Sequence, residues 1–225
     1  MKISAALLLV CAACAGKPDV PILNYHSVGN AADAFTVDEP AFRQQLDWLI
    51  AAGFRTVSLH DVLERQNLKH AVVITFDDGT EDALTRVLPA LRRRGLHGTF
   101  FIVTGFVGRP GYLTWDGVRA LAAAGMEIGS HGVDHARLSD LPDDRVRDQL
   151  AVAKRDLEAQ LHRPIELFAY PYNAVRPRLE KAAAEVGYRA AVAGVVHGGA
   201  DRYSLYRFSV TRETTLTDFQ RAVLR

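Results

Sequence analysis

Two adjacent carboxylates and a spaced pair of histidines are the residues of this chain whose types and spacing could do chemistry. Asp77 and Asp78 come directly after an apolar run, and His131 and His135 stand four positions apart further along. One carboxylate and two imidazoles can hold a divalent metal ion and leave one coordination position open for water. The second carboxylate would then be free to act as a base. These four residues are therefore the smallest set that could carry out metal-assisted hydrolysis.

Taken alone, each pair also has an ordinary structural explanation. Adjacent acids often cap a helix, and Asp78 or Thr80 could cap a helix that starts near Glu81. His131 and His135 could lie in a solvated loop, because a chance spacing of four is not rare among the 8 histidines of the chain. Only the combination of the two pairs therefore indicates a catalytic metal site.

Apolar runs alternate with amphipathic stretches along the whole chain, which indicates strands followed by helices. The predicted strands cover residues 21–25, 54–57, 71–76, 98–103, 126–129, 165–170, 189–193 and 206–210. Helical spacing of apolar residues is found in segments 42–50, 84–91, 118–122, 146–161 and 179–186. Glycine follows four of these segments, at Gly53, Gly95, Gly125 and Gly187, which is typical of a helix end.

Repeated strand–helix alternation predicts an α/β fold with a parallel sheet covered by helices, and seven or eight units can close as a barrel. An open doubly wound sheet is the alternative, but no Gly-rich phosphate loop follows any predicted strand. Parallel barrels place their active sites at the carboxyl ends of the strands. Candidate chemical residues follow four of the predicted strands: His26, the Asp77–Asp78 pair, His131 and Tyr172.

Three motifs in sequence order resemble the polysaccharide deacetylase family of carbohydrate esterases, over roughly residues 21 to 210. They are Thr75-Phe76-Asp77-Asp78-Gly79, Glu127-Ile128-Gly129-Ser130-His131-Gly132-Val133-Asp134-His135 and Phe168-Ala169-Tyr170-Pro171-Tyr172. The segment Asn24-Tyr25-His26-Ser27-Val28 further resembles a permuted subgroup, in which the motif with the catalytic acid histidine precedes the Asp-Asp motif. Exported deacetylases of poly-N-acetylglucosamine belong to that subgroup.

The resemblance implies a distorted, incomplete (β/α) barrel of seven or so strands, TIM-like, and a metal-dependent deacetylation. It also implies the roles of six residues: Asp78, His131 and His135 as metal ligands, Asp77 as general base, His26 as general acid, and the backbone N–H of Tyr172 as a donor to the oxyanion. The residue chemistry agrees, because a histidine suits proton donation near neutral pH and a backbone N–H suits an oxyanion.

The third motif departs from the family pattern in two places. Ala169 stands where many members have an arginine that orients the catalytic aspartate, and Arg207 is the candidate to replace it, a surface salt bridge being the alternative role. Asn173 stands where glycine is usual, and asparagine tolerates a left-handed backbone better than most residues. Trp115, Tyr112 and Tyr172 could stack on a sugar ring or serve in packing. His197 could reach the site or lie in a surface loop.

The expected function is removal of N-acetyl groups from an N-acetylglucosamine-containing polysaccharide by a monomer. Zinc is the default metal for a site of two histidines and one carboxylate, with cobalt or nickel possible. The formal net charge of +1 gives no basic excess for nucleic-acid binding. Two alternatives stay open: a non-catalytic glycan-binding or scaffold protein on the same barrel, which the missing arginine supports, and a deacetylase acting on peptidoglycan or O-acetyl esters.

Residues 1–15 are predicted to be an export signal, followed by one deacetylase domain over residues 16–225. Lys2 precedes an apolar run and then small residues, as in a signal peptide. Cleavage after Ala15 would give a secreted protein. A lipoprotein box would instead make Cys14 a lipid anchor, the only contact of the protein with a membrane. A buried N-terminal strand or helix is the third possibility. Both cysteines lie in this segment, so the mature domain would have no disulfide. The expected location is the bacterial periplasm or cell envelope.

Overall fold

The computed structural model describes residues 20–66, 68–194 and 202–224. Within them the strands are β1 (Ile22–Tyr25), β2 (Ser27–Val28), β3 (Thr36–Val37), β4 (Arg55–Thr56), β5 (Ala71–Phe76), β6 (Thr99–Ile102), β7 (Glu127–Ser130), β8 (Leu167–Ala169), β9 (Ala190–Ala193), β10 (Leu205–Tyr206) and β11 (Phe208–Ser209). The α-helices are α1 (Glu39–Ala51), α2 (Leu59–Leu63), α3 (Leu88–Arg92), α4 (Trp115–Ala123), α5 (Asp143–Leu161), α6 (Pro177–Val186) and α7 (Leu216–Val223). The predicted export signal and His197 lie outside the described residues.

The strands of the main sheet pair in parallel and form a nearly closed barrel. Hydrogen-bonded neighbours follow the order β10-β9-β8-β7-β6-β5-β1-β11, and β4 pairs with the start of β5. The two edges of the sheet are one short chain segment, because β10 pairs with β9 and β11 pairs with β1. Arg207 lies between β10 and β11. The segment that joins the edges of the barrel therefore carries one of the candidate site residues.

Helices cover the outside of the barrel, so its strands are buried on both faces, which explains their near-continuous apolar runs. Every residue of β5 is buried. Successive side chains of a strand point to opposite faces: Val73 packs in the smaller apolar cluster with Phe101, whereas Ile74 packs in the larger cluster with Phe42 of α1. The barrel interior and the strand–helix layer thus form two separate apolar cores.

The predicted α/β barrel is confirmed, and all eight predicted strands and five predicted helices are present, β5 at the predicted bounds and the others at shifted ones. Four elements were not predicted: β2, β3, α2 and α7. The last predicted strand is divided at Arg207, and the helix expected over 84–91 begins with a π-helical turn, Ala83–Val87, before α3. Among residues 20–66, 68–194 and 202–224, none of the helices has the length and apolarity that crossing a bilayer requires.

Candidate active site

The carboxyl ends of β5 and β7 bring the predicted metal ligands together. Asp78, His131 and His135 each offer one ligand atom, and these three atoms lie within 4.8 Å of one another. Asp78 follows β5 with a left-handed backbone (φ 71°), and Gly79 continues the turn (φ 76°). Neither Asp78 nor Thr80 caps the following helix, whose preceding residue is Asp82. The explanation of Asp78 as a helix cap is therefore wrong.

The Oδ1 atom of Asp78 is buried and has no hydrogen-bond partner among the described residues. It lies 3.5 Å from Nε2 of His131 and 3.4 Å from Nε2 of His135. A tetrahedral ion with ligand distances of about 2.0–2.2 Å holds its ligands roughly 3.3–3.6 Å apart. Burial raises the pKa of Asp78 to about 6, with His26 opposing the rise and Asp77 adding to it. A buried carboxylate oxygen without a partner, at this distance from two imidazole nitrogens, fits a divalent cation.

His131 is held in the protonation state that a metal ligand needs. Its Nδ1 lies 2.7 Å from the carbonyl oxygen of Ala169, and because a carbonyl can only accept, Nδ1 must carry the hydrogen. The lone pair is then on Nε2, the nitrogen that faces Asp78. Burial lowers the pKa of His131 to about 4 even though Asp77 opposes the shift. The imidazole is therefore neutral at physiological pH and free to coordinate.

His135 lies in a loop that a buried glutamine fixes in place. Oε1 of Gln149, on α5, accepts hydrogen bonds from the backbone N–H groups of Val133 (2.9 Å) and Asp134 (3.3 Å). The His135 ring lies 4.6 Å from the Tyr172 ring, and burial lowers the pKa of His135. The sequence analysis missed Gln149, and its only signal was a polar residue on the apolar face of the predicted helix 146–161.

Asp77 and Arg207 form a buried pair with two hydrogen bonds. Nη1 and Nη2 of Arg207 donate to Oδ1 and Oδ2 of Asp77, each at 2.7 Å, and Nη1 also donates to Thr75 at 3.1 Å. Burial alone would raise the pKa of Asp77, but the positive charge and the hydrogen bonds of Arg207 hold this pKa well below its usual range. Asp77 is therefore ionised at physiological pH, and Arg207 is not a surface residue but the residue that orients it.

His26 lies just after β1, the neighbour of β5 in the sheet. When protonated it lowers the pKa values of both Asp77 and Asp78, so it stands close to the carboxylate pair. Its Nδ1 is buried without a hydrogen-bond partner among the described residues. The chain beyond it is anchored, because the N–H of Val28 donates to Asp82 at 2.7 Å. The structure thus places His26, the predicted general acid, on the side of the site opposite β7.

The Pro171–Asn173 turn places Tyr172 at the mouth of the site. Tyr172 and Asn173 both have left-handed backbones, with φ values of 58° and 53°. The N–H of Asn173 donates to Tyr170 at 3.0 Å, whereas the backbone N–H of Tyr172 donates to none of the described backbone carbonyls. Asn173 thus adopts the left-handed backbone that the sequence analysis expected it to tolerate.

The other aromatic candidates divide into packing and exposed residues. Trp115 is partly buried against the larger core, and the Tyr112 ring packs against the Phe106 ring at 4.9 Å with a tilt of 58°. Tyr172 is 55% exposed and Phe35 is 50% exposed. The sequence analysis did not single out Phe35. Phe35 had no sequence signal because an isolated aromatic in a loop matches no motif.

The chain is similar to known proteins over most of its length. A family model described as polysaccharide deacetylase matches residues 64–191, more than half of the chain. The chain belongs to the polysaccharide deacetylase family. The matched range contains the three candidate metal ligands, Asp77 and Tyr172, but neither His26 nor Arg207. The family prediction is thus confirmed, and with it the prediction of a deacetylase hydrolase; the permuted subgroup stays a prediction.

Three curated relatives are named deacetylases. YxkH of Bacillus subtilis, a candidate polysaccharide deacetylase, is 28% identical over 200 residues, which cover 85% of this chain and 71% of that protein. The peptidoglycan-N-acetylglucosamine deacetylase of Bacillus cereus is 32% identical over 127 residues, 56% of this chain and 57% of the relative. The poly-β-1,6-N-acetyl-D-glucosamine N-deacetylase of Escherichia coli is 29% identical over 133 residues, 48% of this chain and 20% of the relative.

Two solved structures share the fold along nearly their whole length. The deacetylase PplD of Streptococcus pyogenes, solved with acetate, superposes with a TM-score of 0.83 at 23% identity and covers 91% of this chain and 97% of its own. IcaB of Ammonifex degensii superposes with a TM-score of 0.81 at 24% identity and covers 93% and 98%. At these identities the likeness supports the fold alone.

Proposed function

We propose that this deacetylase removes N-acetyl groups from an N-acetylglucosamine-containing polysaccharide, and that zinc is its metal. One observation carries the proposal: a buried carboxylate oxygen of Asp78, without a hydrogen-bond partner among the described residues, lies between two neutral imidazoles, next to an ionised Asp77 fixed by Arg207. Two curated relatives are named for deacetylation of N-acetylglucosamine polymers, which supports the choice of substrate.

The side chains divide the proton transfers between them. Asp77 takes the proton of the attacking water, because each oxygen that accepts one bond from Arg207 keeps a further lone pair. The backbone N–H of Tyr172 donates to the oxyanion that develops on the amide carbonyl. His26 then protonates the departing glucosamine amine, and acetate is the other product. Asp78, His131 and His135 would hold the ion, which supplies polarisation of the carbonyl and a lowered pKa of water.

The substitution Asp77→Asn tests the base. It keeps the shape of the side chain but removes its ability to take a proton, so acetate release from N-acetylglucosamine oligomers should fall by about 10²–10⁴-fold. Zinc binding, followed by calorimetry, should persist because the three ligands remain. Asp116→Asn is the matched control, because the Asp116 side chain is 91% exposed and pairs with Arg119 of the same helix. Wild-type turnover by Asp77→Asn would show that Asp77 is not the base.

Peptidoglycan and O-acetyl esters are the alternative substrates, because the same residues would serve either reaction. An acetate-release screen over poly-N-acetylglucosamine, chitin oligomers, peptidoglycan and an O-acetylated glycan, with and without chelator, separates them. The scaffold alternative rested on Ala169, and the contact of Arg207 with Asp77 supplies what that position lacks. If the protein bound oligomers but released no acetate in the presence of added zinc, cobalt or nickel, the scaffold alternative would be favoured again.

We also propose export to the cell envelope, from the composition of residues 1–15, and a monomeric enzyme. Cell fractionation after expression in a bacterial host tests the export signal. Cys14→Ala should release a lipoprotein from the membrane fraction and leave a secreted protein unaffected. Sedimentation of the purified domain tests the monomer.

A further inference from the structure

Two exposed aromatic rings flank the candidate active site, each against one of its histidines. The described chain exposes four large hydrophobic side chains: Phe35, Ile50, Tyr172 and Leu224. The Phe35 ring lies 4.7 Å from the His26 ring, and the Tyr172 ring lies 4.6 Å from the His135 ring. Half of the exposed large hydrophobic side chains are thus at one small site.

The strand order puts the two rings on opposite sides of the carboxylate pair. β1, which leads to His26, is next to β5 on one side, and β7, which leads to His135, is the second strand on the other side. Asp77 and Asp78 follow β5, between them. A glycan lying across the carboxylates would therefore meet an aromatic ring in each direction.

The loop that presents Phe35 is tied down at both ends. Asp33 accepts from the N–H of Phe35 at 2.9 Å and from the hydroxyl of Thr36 at 2.6 Å. Arg212 donates its backbone N–H to Ala34 at 2.9 Å and its side chain to Ala31 at 2.6 Å. The exposed ring is therefore held in position before any ligand arrives, and a preorganised contact loses little entropy on binding.

We propose that Phe35 is a platform for the sugar residue next to the one that loses its acetyl group, which makes the enzyme selective for oligomers over single sugars. This rests on the proposed function. One face of a pyranose ring presents C–H groups, and stacking it on the phenyl ring removes apolar surface of both from water. Phe35 has no polar atom, so it recognises the ring face and not a hydroxyl.

Variants of Phe35 test this by comparing substrates of different length. For Phe35→Ala, kcat/KM on an N-acetylglucosamine tetramer should fall about tenfold relative to hydrolysis of p-nitrophenyl acetate, which has no second sugar. The loss should appear mainly in KM, and Phe35→Trp should restore it because indole is also flat. Ile50→Ala is the control, since Ile50 is 45% exposed on α1 and outside the site.

Tetramer binding in the Asp77→Asn background makes the result independent of turnover. Adding Phe35→Ala should raise the dissociation constant about tenfold, close to 1.4 kcal/mol, and leave binding of the monosaccharide weak in both proteins. The proposed role of Phe35 would be overturned if kcat/KM fell equally on the ester and on the tetramer. It would also be overturned if Phe35→Leu or Phe35→Ala bound the tetramer as tightly as the unsubstituted protein. If the wild type released no acetate, the proposed function would be refuted. The tetramer-binding comparison would still test the role of Phe35 in that case.

Discussion

Replacing Arg207 with methionine should destabilise the protein severely, because it leaves a charged carboxylate buried without a partner. The Arg207 and Asp77 side chains are 0% and 3% exposed and lie 2.7 Å apart. Removing one member of a buried ion pair costs about 3–5 kcal/mol. For a domain of this size each kcal/mol corresponds to about 2–4 °C of melting temperature, so we expect a loss of roughly 6–20 °C.

Urea unfolding at pH 7 in the presence of chelator measures this loss without a contribution from metal. Arg147→Met is the matched control, because Arg147 also faces a carboxylate, Glu185, at 3.6 Å but is 62% exposed. Exposed pairs are worth about 0–1 kcal/mol. Acetate release adds a second readout: without Arg207 the pKa of Asp77 rises, so the base stays protonated to higher pH and the acidic limb of kcat/KM moves upward.

The double variant Arg207→Met with Asp77→Asn decides the cause of the loss. Removing the carboxylate charge should recover about 1–3 kcal/mol relative to Arg207→Met alone, because a neutral amide is cheaper to bury than an unpaired charge. The reasoning fails if Arg207→Met destabilises no more than Arg147→Met, or if the double variant is less stable than Arg207→Met.

Three further substitutions test other parts of the site and the barrel. The pKa of Asp78 in the folded, metal-free protein, about 6, exceeds the unfolded value of about 3.9, so this group favours folding below pH 4 and that contribution is lost as pH rises to about 6. Asp78→Asn should therefore raise the melting temperature of metal-free protein at pH 7.5 and abolish the increase that zinc gives the wild type; a lower melting temperature would contradict the assignment. His26→Ala should slow acetate release by about 10²-fold and remove the basic limb of the pH profile, and a retained limb would exclude His26 as the acid. Gly129→Ala should cost about 1–3 kcal/mol in urea unfolding, because its Cβ would lie 2.5 Å from the Phe101 ring inside the barrel; wild-type stability would show that the interior can relax.

Local patterns in the sequence were enough to predict the fold and the positions of most site residues. Apolar runs between helix-stop glycines mark buried parallel strands such as β5, because a strand covered on both faces has no polar side. Residues that directly follow such strands meet at one end of the barrel. The motifs with Asp77, Asp78, His131 and His135 could therefore be placed together without coordinates. The short elements β2, β3 and α2 were missed because their few residues show no period.

Only the tertiary structure decided how the site is held and how its groups ionise. The sequence contains 27 lysines and arginines, and Arg207 reaches Asp77 across 130 positions only because the segment between β10 and β11 joins the barrel's edges. Asp77 and Asp78 are neighbours of one type, yet the pKa of one is lowered by a buried guanidinium and that of the other is raised by burial without a partner. Ionisation depends on the charges and solvent that surround a group in space, and a sequence pattern does not contain that information.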